Sequence, residues 1–244
     1  MKDIFSKRSA EYVRYRPVYP RELYDFIFKH VTQNNTAWDC ATGTGQAAFE
    51  LSKRFKKVFA TDISQQQLAH ALKADNIFYS LQLAEKTNFP DHSFDLITVA
   101  QAIHWLRFDD FYKEVKRVSR PGGVIAVWGY SLLKTSLEID KIISNFYTEI
   151  LGSYWDEERK YVEDNYTTIP FPFKENKSRS FQLTVYWNKI ELEGYLFTWS
   201  ALQKYLQANQ LSPLPRLMRE IEKHWGTQEK IKIIFPLFLK LGRI

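Results

Sequence analysis

The chain has 244 residues, of which 45% are hydrophobic and 25% are charged. This balance excludes an intrinsically disordered chain, and the length suits one large domain or one domain of about 150 residues with an extension. The formal net charge of +6 leaves an anionic partner open, but neither a block of like charges nor a nucleic-acid-reading motif occurs. A nucleic-acid partner is therefore not expected.

Cys40 is the single cysteine of the chain, which excludes an internal disulfide and fits a reducing compartment. The N-terminal segment lacks the apolar core of a secretory signal. No stretch approaches the roughly 18 apolar residues that a membrane-spanning helix needs. We therefore expect a cytoplasmic protein without a membrane span.

Short apolar runs alternate with helical patterns between residues 37 and 130. This alternation predicts an α/β fold, a doubly wound and mostly parallel sheet with right-handed crossovers. The helix that begins at Ser64 has a capping-box pattern with Gln67. The predicted strands are 37–41, 58–61, 76–80, 94–100 and 124–130, and the other predicted helices are 46–55 and 109–119.

After residue 130 the alternation ends. We predict mixed helix and loop over 135–175, a strand over 181–187, helices over 192–207 and 216–225, and a last strand over 231–241. The chain is accordingly divided into an N-terminal segment (1–36), a cofactor-binding core (37–130), a cap insertion (131–178) and a C-terminal part (179–244) that completes the sheet.

The sharpest local feature is the loop Asp39-Cys40-Ala41-Thr42-Gly43-Thr44-Gly45-Gln46, between a predicted strand and a predicted helix. Gly43 and Gly45 have no Cβ, so the backbone can turn tightly and approach a ligand. The helix that follows presents free N–H groups toward such a ligand. Asp62, at the end of the next strand, is placed to accept hydrogen bonds from ribose hydroxyls. Together these features predict a nucleotide-type site.

The same loop also matches a dinucleotide fingerprint, G-x-G-x-x-A, through Gly43, Gly45 and Ala48. The local motif therefore leaves two kinds of enzyme open. One is a nicotinamide enzyme, and the other has a cofactor that contains adenosine alone.

Further segments of the sequence narrow the choice between these two kinds of enzyme. With the glycine loop, they resemble the class I S-adenosylmethionine-dependent methyltransferases, in particular the subgroup similar to trans-aconitate methyltransferase (methyltransferase type 11). The family's first loop glycine is replaced here by Ala41. The segments are Tyr15-Arg16-Pro17-Val18-Tyr19-Pro20, Ala84-Glu85-Lys86-Thr87-Asn88-Phe89-Pro90, Gln101-Ala102-Ile103-His104-Trp105, Arg120-Pro121-Gly122-Gly123 and Thr198-Trp199-Ser200.

The resemblance implies a Rossmann-like sheet of seven strands with a helical cap insertion, and a lid built from segment 1–36 and that insertion. It implies S-adenosyl-L-methionine as cofactor and S-adenosyl-L-homocysteine as product. Because the sulfonium already carries an activated methyl group, no metal is expected. The implied cofactor-binding residues are Asp39, Ala41, Gly43, Thr44, Gly45, Asp62, Ile63, Ala84, Glu85, Gln101 and Ala102.

Aromatic residues of the lid and the post-strand segment are expected to line the acceptor pocket. His104 is the candidate catalytic base, and hydrogen bonding or packing is the alternative role for this residue. Arg14 and Arg16 are expected either to meet a carboxylate or to remain in solvent, and the N-terminal aromatics either to cover the site or to pack on the sheet. The candidate pocket residues are Tyr12, Tyr15, Tyr19, His104, Trp105 and Trp199.

The expected function is methyl transfer by in-line displacement to a small-molecule acceptor, with a carboxylate, a hydroxyl or a lipid-like acid as candidates. One alternative is a nicotinamide-dependent oxidoreductase. Another is a non-catalytic cofactor-binding module, for which Ala41 is the single hint in the sequence. The acceptor, the methylated atom and the oligomeric state are left open.

Overall fold

The computed structural model describes residues 15–244, so the candidates Tyr12 and Arg14 lie outside the described residues. Within this range seven strands form one sheet in the order β3-β2-β1-β4-β5-β7-β6. Strands β1 to β5 pair in parallel, whereas β7 is antiparallel to both of its neighbours. The strands are β1 (Thr36–Cys40), β2 (Lys57–Asp62), β3 (Ile77–Leu81), β4 (Phe94–Ala100), β5 (Ser119–Tyr130), β6 (Lys174–Trp187) and β7 (Ile231–Arg243).

Helices occupy every connection between strands except that from β3 to β4, which confirms the α/β fold class. Ser64 caps α3 as its pattern predicts, because its hydroxyl accepts a hydrogen bond from the Gln67 N–H at 3.2 Å. The helices are α1 (Arg21–Phe28), α2 (Gln46–Ser52), α3 (Gln65–Ala69), α4 (Phe108–Val118), α5 (Leu137–Asn145), α6 (Arg159–Glu163), α7 (Lys189–Phe197), α8 (Ser200–Ala208) and α9 (Leu214–Glu222).

Each face of the sheet carries its own hydrophobic core. Successive side chains of a strand point to opposite faces, so Ala37 and Leu96 join one core while Trp38 and Ile97 join the other. All these side chains are fully buried. The nearly continuous apolar run of β4 follows from this double coverage, as expected of a central parallel strand.

Three elements differ from the sequence-based predictions. The helix predicted over 192–207 is two helices, because Trp199 has an extended backbone (φ −69°, ψ 129°) and turns the chain between α7 and α8. Strand β5 begins at Ser119, before the segment Arg120–Gly123 and before the predicted start at residue 124. This segment shifts the pairing register with β4 between Phe94 and Leu96 and does not interrupt the strand. Strand β6 begins at Lys174, so it crosses the predicted boundary at residue 178.

The segment between β5 and β6 holds α5, a π-helical turn (Phe146–Ile150), a 3-10 turn (Gly152–Tyr154) and α6. Residues of this segment meet the carboxyl ends of the parallel strands at one crevice. Across residues 15–244, each helix is too short or too polar to cross a membrane.

Candidate active site

The loop after β1 is built from alternating left-handed residues. Ala41, Gly43 and Gly45 have φ angles of 53°, 57° and 77°. This conformation costs a residue with a Cβ about 1–2 kcal/mol, which explains the glycine that the family has at the first position. Ala41 nevertheless adopts the same conformation, so its methyl group does not change the course of the loop.

The two glycines of the loop differ in the space around their Cα atoms. A Cβ on Gly45 would lie 2.2 Å from the hydroxyl of Tyr79, a β3 residue. A Cβ on Gly43 would meet nothing closer than Gln67 Oε1 at 3.9 Å. Gly45 is therefore required by the packing of the protein itself. Gly43 leaves open space beside the loop, and a backbone that cradles a ligand needs such space.

Asp62 joins the end of β2 to the glycine loop. Its Oδ2 accepts a hydrogen bond from Gly43 N–H at 2.8 Å, and its Oδ1 accepts one from Ser64 N–H at 2.9 Å. The residue is 7% exposed and lines the crevice. Because each carboxylate oxygen has two lone pairs, Asp62 can hold the loop and still accept hydrogen bonds from ribose hydroxyls.

Asp39 supports the loop from below and does not line the crevice. Its carboxylate accepts hydrogen bonds from the Thr42 hydroxyl (2.5 Å), the Thr98 hydroxyl (2.7 Å) and Ala48 N–H (3.1 Å). Burial, with a smaller effect of the charge of Asp62, raises the pKa of Asp39 to about 6 against the opposing effect of these hydrogen bonds. The protein thus keeps two carboxylates close together beneath the loop.

The crevice is open to a ligand. Its enclosed volume is about 130 Å³, less than the usual 300–1,000 Å³ of a ligand site, so a nucleoside ligand would lie partly in the open mouth of the crevice. The sequence-based candidates that line it are Tyr19, Ala41, Thr44, Asp62, Ile63, Gln101, Ala102, His104, Trp105 and Trp199.

Other candidates lie behind or beside the crevice. Glu85 Oε1 accepts a hydrogen bond from Arg107 N–H (3.1 Å), which precedes α4, and Ala84 is packed in a core. Tyr15 packs against α7, since a Cβ on Gly194 would lie 2.5 Å from its ring. Like Asp39, Gly43 and Gly45, these residues are not part of the lining.

Gln101 contributes its backbone to the crevice. Its φ is 54°, and its side-chain amide is tied to the backbone of Tyr130, accepting from N–H at 2.7 Å and donating to C=O at 3.2 Å. Strained residues at a ligand site are common where the surrounding structure fixes them. Gln101 and Ala41 are two such residues, and both line the crevice.

The wall opposite the loop is aromatic and carries two arginines. Arg16 donates to the Tyr130 hydroxyl at 2.7 Å and lies over the Tyr195 ring at 5.2 Å. Arg159 donates to the Tyr147 hydroxyl at 2.8 Å and lies over the Trp155 ring at 4.9 Å. Both arginines line the same crevice as the loop and Asp62.

Sequence analysis did not identify several lining residues, namely Trp155, Asp156, Arg159 and Tyr195. They come from the cap segment and from α7, which have no motif. The only signal in the sequence is its high aromatic content, 16% of the residues, which fits an apolar pocket without naming its residues.

His104 stands in the crevice wall, 6% exposed. Its Nδ1 lies 2.8 Å from the hydroxyl of Tyr166, which the sequence did not single out. Burial, together with the smaller effect of the nearby charge of Arg159, lowers the pKa of His104 to about 3. The ring is therefore neutral at neutral pH. Across the described residues, no cluster of three or more His, Cys, Asp or Glu side chains could hold a metal ion.

A mostly parallel sheet in which β7 runs antiparallel between β5 and β6, with a glycine loop facing an acid at the end of β2, is typical of the class I S-adenosylmethionine-dependent methyltransferases. The family model described as a methyltransferase domain matches residues 38–127. A Dictyostelium discoideum protein named as a methyltransferase is 34% identical over 249 residues, covering 99% of this chain and 95% of its own.

Two further proteins are similar. The solved structure of a type II methyltransferase from Anaeromyxobacter dehalogenans has a TM-score of 0.86 at 34% identity, covering 93% of this chain and 97% of the other. A Saccharomyces cerevisiae S-adenosylmethionine-dependent methyltransferase is 28% identical, covering 70% of this chain and 61% of its own. The chain belongs to the S-adenosylmethionine-dependent methyltransferase family.

The cofactor is S-adenosyl-L-methionine, and the open position at Gly43 and the acid at Asp62 fit that group. This decides between the two kinds of enzyme that the loop motif left open. The chain is a methyltransferase, and the nicotinamide alternative is set aside.

Proposed function

We propose that the acceptor is a small molecule with an anionic group, and that a carboxylate oxygen receives the methyl group. The observation that carries this proposal is the presence of Arg16 and Arg159 in the same crevice as the glycine loop and Asp62. Guanidinium groups bind carboxylates through parallel hydrogen bonds. The resemblance to the trans-aconitate methyltransferase subgroup supports the same acceptor class.

The cofactor is proposed to lie along the loop. Asp62 receives the ribose hydroxyls, Ile63 covers one side of the adenine, and the backbone at Ala41, Gly43 and Thr44 faces the amino-acid end. Ala84 and Glu85 support the adenine side from behind the lining, while Gln101 and Ala102 supply the wall at the end of β4. The cofactor-binding set predicted from the sequence thus divides into residues that touch the ligand and residues that hold them.

The bound cofactor supplies a methyl group that is carried on a positively charged sulfur. The acceptor oxygen bonds to the methyl carbon in line with the C–S bond, the electrons of that bond stay with sulfur, and an ester forms. The protein's part is orientation, which can lower such a barrier by roughly 7–11 kcal/mol. Arg159 is proposed to hold the acceptor, while the faces of Trp155 and Trp199 exclude water and attract the sulfonium. Tyr19 and Trp105 also line the crevice.

An ionised carboxylate needs no base, and this agrees with the state of His104. A general base works best when its pKa is near the working pH, whereas the pKa of His104 is lowered to about 3. A hydroxyl acceptor, which must lose a proton, is served less well by this ring. We therefore propose that His104 contacts the acceptor by hydrogen bonding.

A methyl-transfer screen of carboxylates and other metabolites tests the proposal, read by mass increase and by release of S-adenosylhomocysteine. We expect methyl esters of acidic acceptors, and activity that falls at least tenfold in Arg159→Gln. The exposed Arg219→Gln, a matched control remote from the crevice, should leave activity unchanged. Methylation of neutral amines or alcohols alone would contradict the acceptor class.

A further inference from the structure

His104 has one ring nitrogen already engaged. Its Nδ1 pairs with the hydroxyl of Tyr166 at 2.8 Å, and Tyr166 is fully buried and outside the crevice lining. Among the described residues, Nε2 has no hydrogen-bond partner. It is also absent from the buried polar atoms that lack one. Nε2 therefore reaches the open space of the crevice.

The direction of this hydrogen bond determines the tautomer of the ring. A neutral imidazole has one protonated and one bare nitrogen, and a phenol can donate or accept. A bare imidazole nitrogen is a better acceptor than a phenolic oxygen. The favoured arrangement therefore has the Tyr166 hydroxyl donating to Nδ1 of His104, which leaves the proton on Nε2.

The backbone that presents Tyr166 is strained. Asn165 and Tyr166 have φ angles of 52° and 58°, a conformation that is unusual for a bulky side chain. The turn is held by Tyr166 N–H, which donates to Tyr161 C=O at 2.8 Å, and by the Ser131 hydroxyl, which donates to Asn165 Oδ1 at 2.6 Å. Strain of this kind persists where the surroundings enforce it, and it concentrates at functional sites.

We propose that Tyr166 is a positioning residue that fixes His104 in the neutral tautomer with its proton on Nε2, so that the ring offers an N–H donor to the anionic oxygen of the acceptor. The tautomer does not depend on the proposed function. Only the identity of the group that accepts the hydrogen bond from Nε2–H, an anionic acceptor oxygen, rests on it. A neutral donor beside Arg159 binds an anionic oxygen without giving up or taking a proton. This role also explains why the histidine is buried beside an arginine.

Nitrogen-15 NMR of the full chain at pH 7 tests the tautomer directly, with the His104 signals assigned by their loss in His104→Gln. We expect Nδ1 to have the shift of a bare nitrogen and Nε2 that of a protonated one. In Tyr166→Phe the two tautomers should mix. A proton on Nδ1 in the wild-type protein overturns the proposal, whatever the variants do.

Tyr112→Phe is the matched control. Tyr112 is 3% exposed and belongs to the hydrophobic core that holds Tyr166, but its hydroxyl donates to Pro170 C=O at 2.6 Å. Its removal should leave the His104 tautomer unchanged. Mixed tautomers in both variants would mean that general loosening of the core, and not the Tyr166 hydroxyl, sets the ring.

Turnover of the acceptor found in the screen is the second readout. Tyr166→Phe should lower kcat about tenfold and leave the Kd of S-adenosylmethionine within twofold, while Tyr112→Phe should leave both unchanged. An unchanged kcat in folded Tyr166→Phe refutes the positioning role. The NMR experiment needs no acceptor, so a screen that finds none counts against the proposed function and not against the tautomer.

Discussion

Asp39→Asn is expected to make the free protein more stable at neutral pH. Burial moves the pKa of Asp39 from 3.8 to about 6, roughly two units, and at 1.36 kcal/mol per unit the buried charge costs about 3 kcal/mol. An asparagine can keep the hydrogen bonds, accepting from Ala48 N–H and donating to the Thr98 hydroxyl. The gain should therefore reach about 1–3 kcal/mol at pH 8.

The sign of the pH dependence follows from the raised pKa. A carboxyl whose folded pKa exceeds its unfolded value favours folding below pH 3.8 and loses that contribution as pH rises through about 6. The advantage of Asp39→Asn should thus be small at pH 4 and complete by pH 8. Urea denaturation at both values measures it, with the exposed Asp75→Asn as a control that shifts stability by less than about 0.5 kcal/mol.

The result that would refute this reasoning is an equal effect of Asp39→Asn at pH 4 and pH 8, or a loss of stability at pH 8 that Asp75→Asn does not share. The same variant has a functional counterpart. Because Asp39 and Asp62 place negative charge beneath the loop, Asp39→Asn should weaken binding of cationic S-adenosylmethionine more than binding of the uncharged thioether product. Equal losses of affinity for the two ligands, measured by calorimetry, would mean that the charge of Asp39 does not act on the cofactor.

The loop supports three further predictions. Ala41→Gly should raise stability by about 1 kcal/mol by removing left-handed strain; a loss in urea denaturation would contradict the strain. Gly45→Ala should lower the melting temperature because its Cβ meets the Tyr79 hydroxyl at 2.2 Å, while Gly43→Ala, which has no such contact, should lose only the roughly 1–2 kcal/mol of left-handed strain and should lose cofactor affinity; the reverse ranking of the two losses of stability would contradict their assigned roles. Asp62→Ala should weaken S-adenosylmethionine binding about 10- to 150-fold, the worth of one charge-assisted hydrogen bond of roughly 1.5–3 kcal/mol; unchanged calorimetric affinity in the folded variant would exclude Asp62 from the ribose site.

The sequence predicted the parts of the fold that local chemistry determines. Strand β4 has the bounds that its apolar run predicts, because a strand covered on both faces needs apolar residues throughout. The spacing from the glycine loop to Asp62 likewise placed these elements together, since parallel strands bring their carboxyl ends to one edge of the sheet. The hydrogen bond from Gly43 to Asp62 is the direct expression of that spacing.

The parts that the sequence did not reveal depend on contacts between distant segments. Arg159 lines the crevice and Tyr166 contacts His104 from outside the lining, 55 and 62 residues after His104, and nothing local marks either one. The break between α7 and α8 at Trp199 is not marked by a glycine or a proline. The chain turns there because Trp199 packs in the aromatic wall against Trp155. Nothing in the sequence around Ala41 indicated that this alanine would adopt the left-handed backbone conformation of a glycine.

Calorimetric titration of the wild-type protein tests the central claim most directly, that the crevice at the glycine loop binds an adenosine sulfonium cofactor. S-adenosylmethionine and S-adenosylhomocysteine should each bind saturably, and NAD should not bind. Saturable binding of NAD with no binding of either methionine derivative would contradict the account.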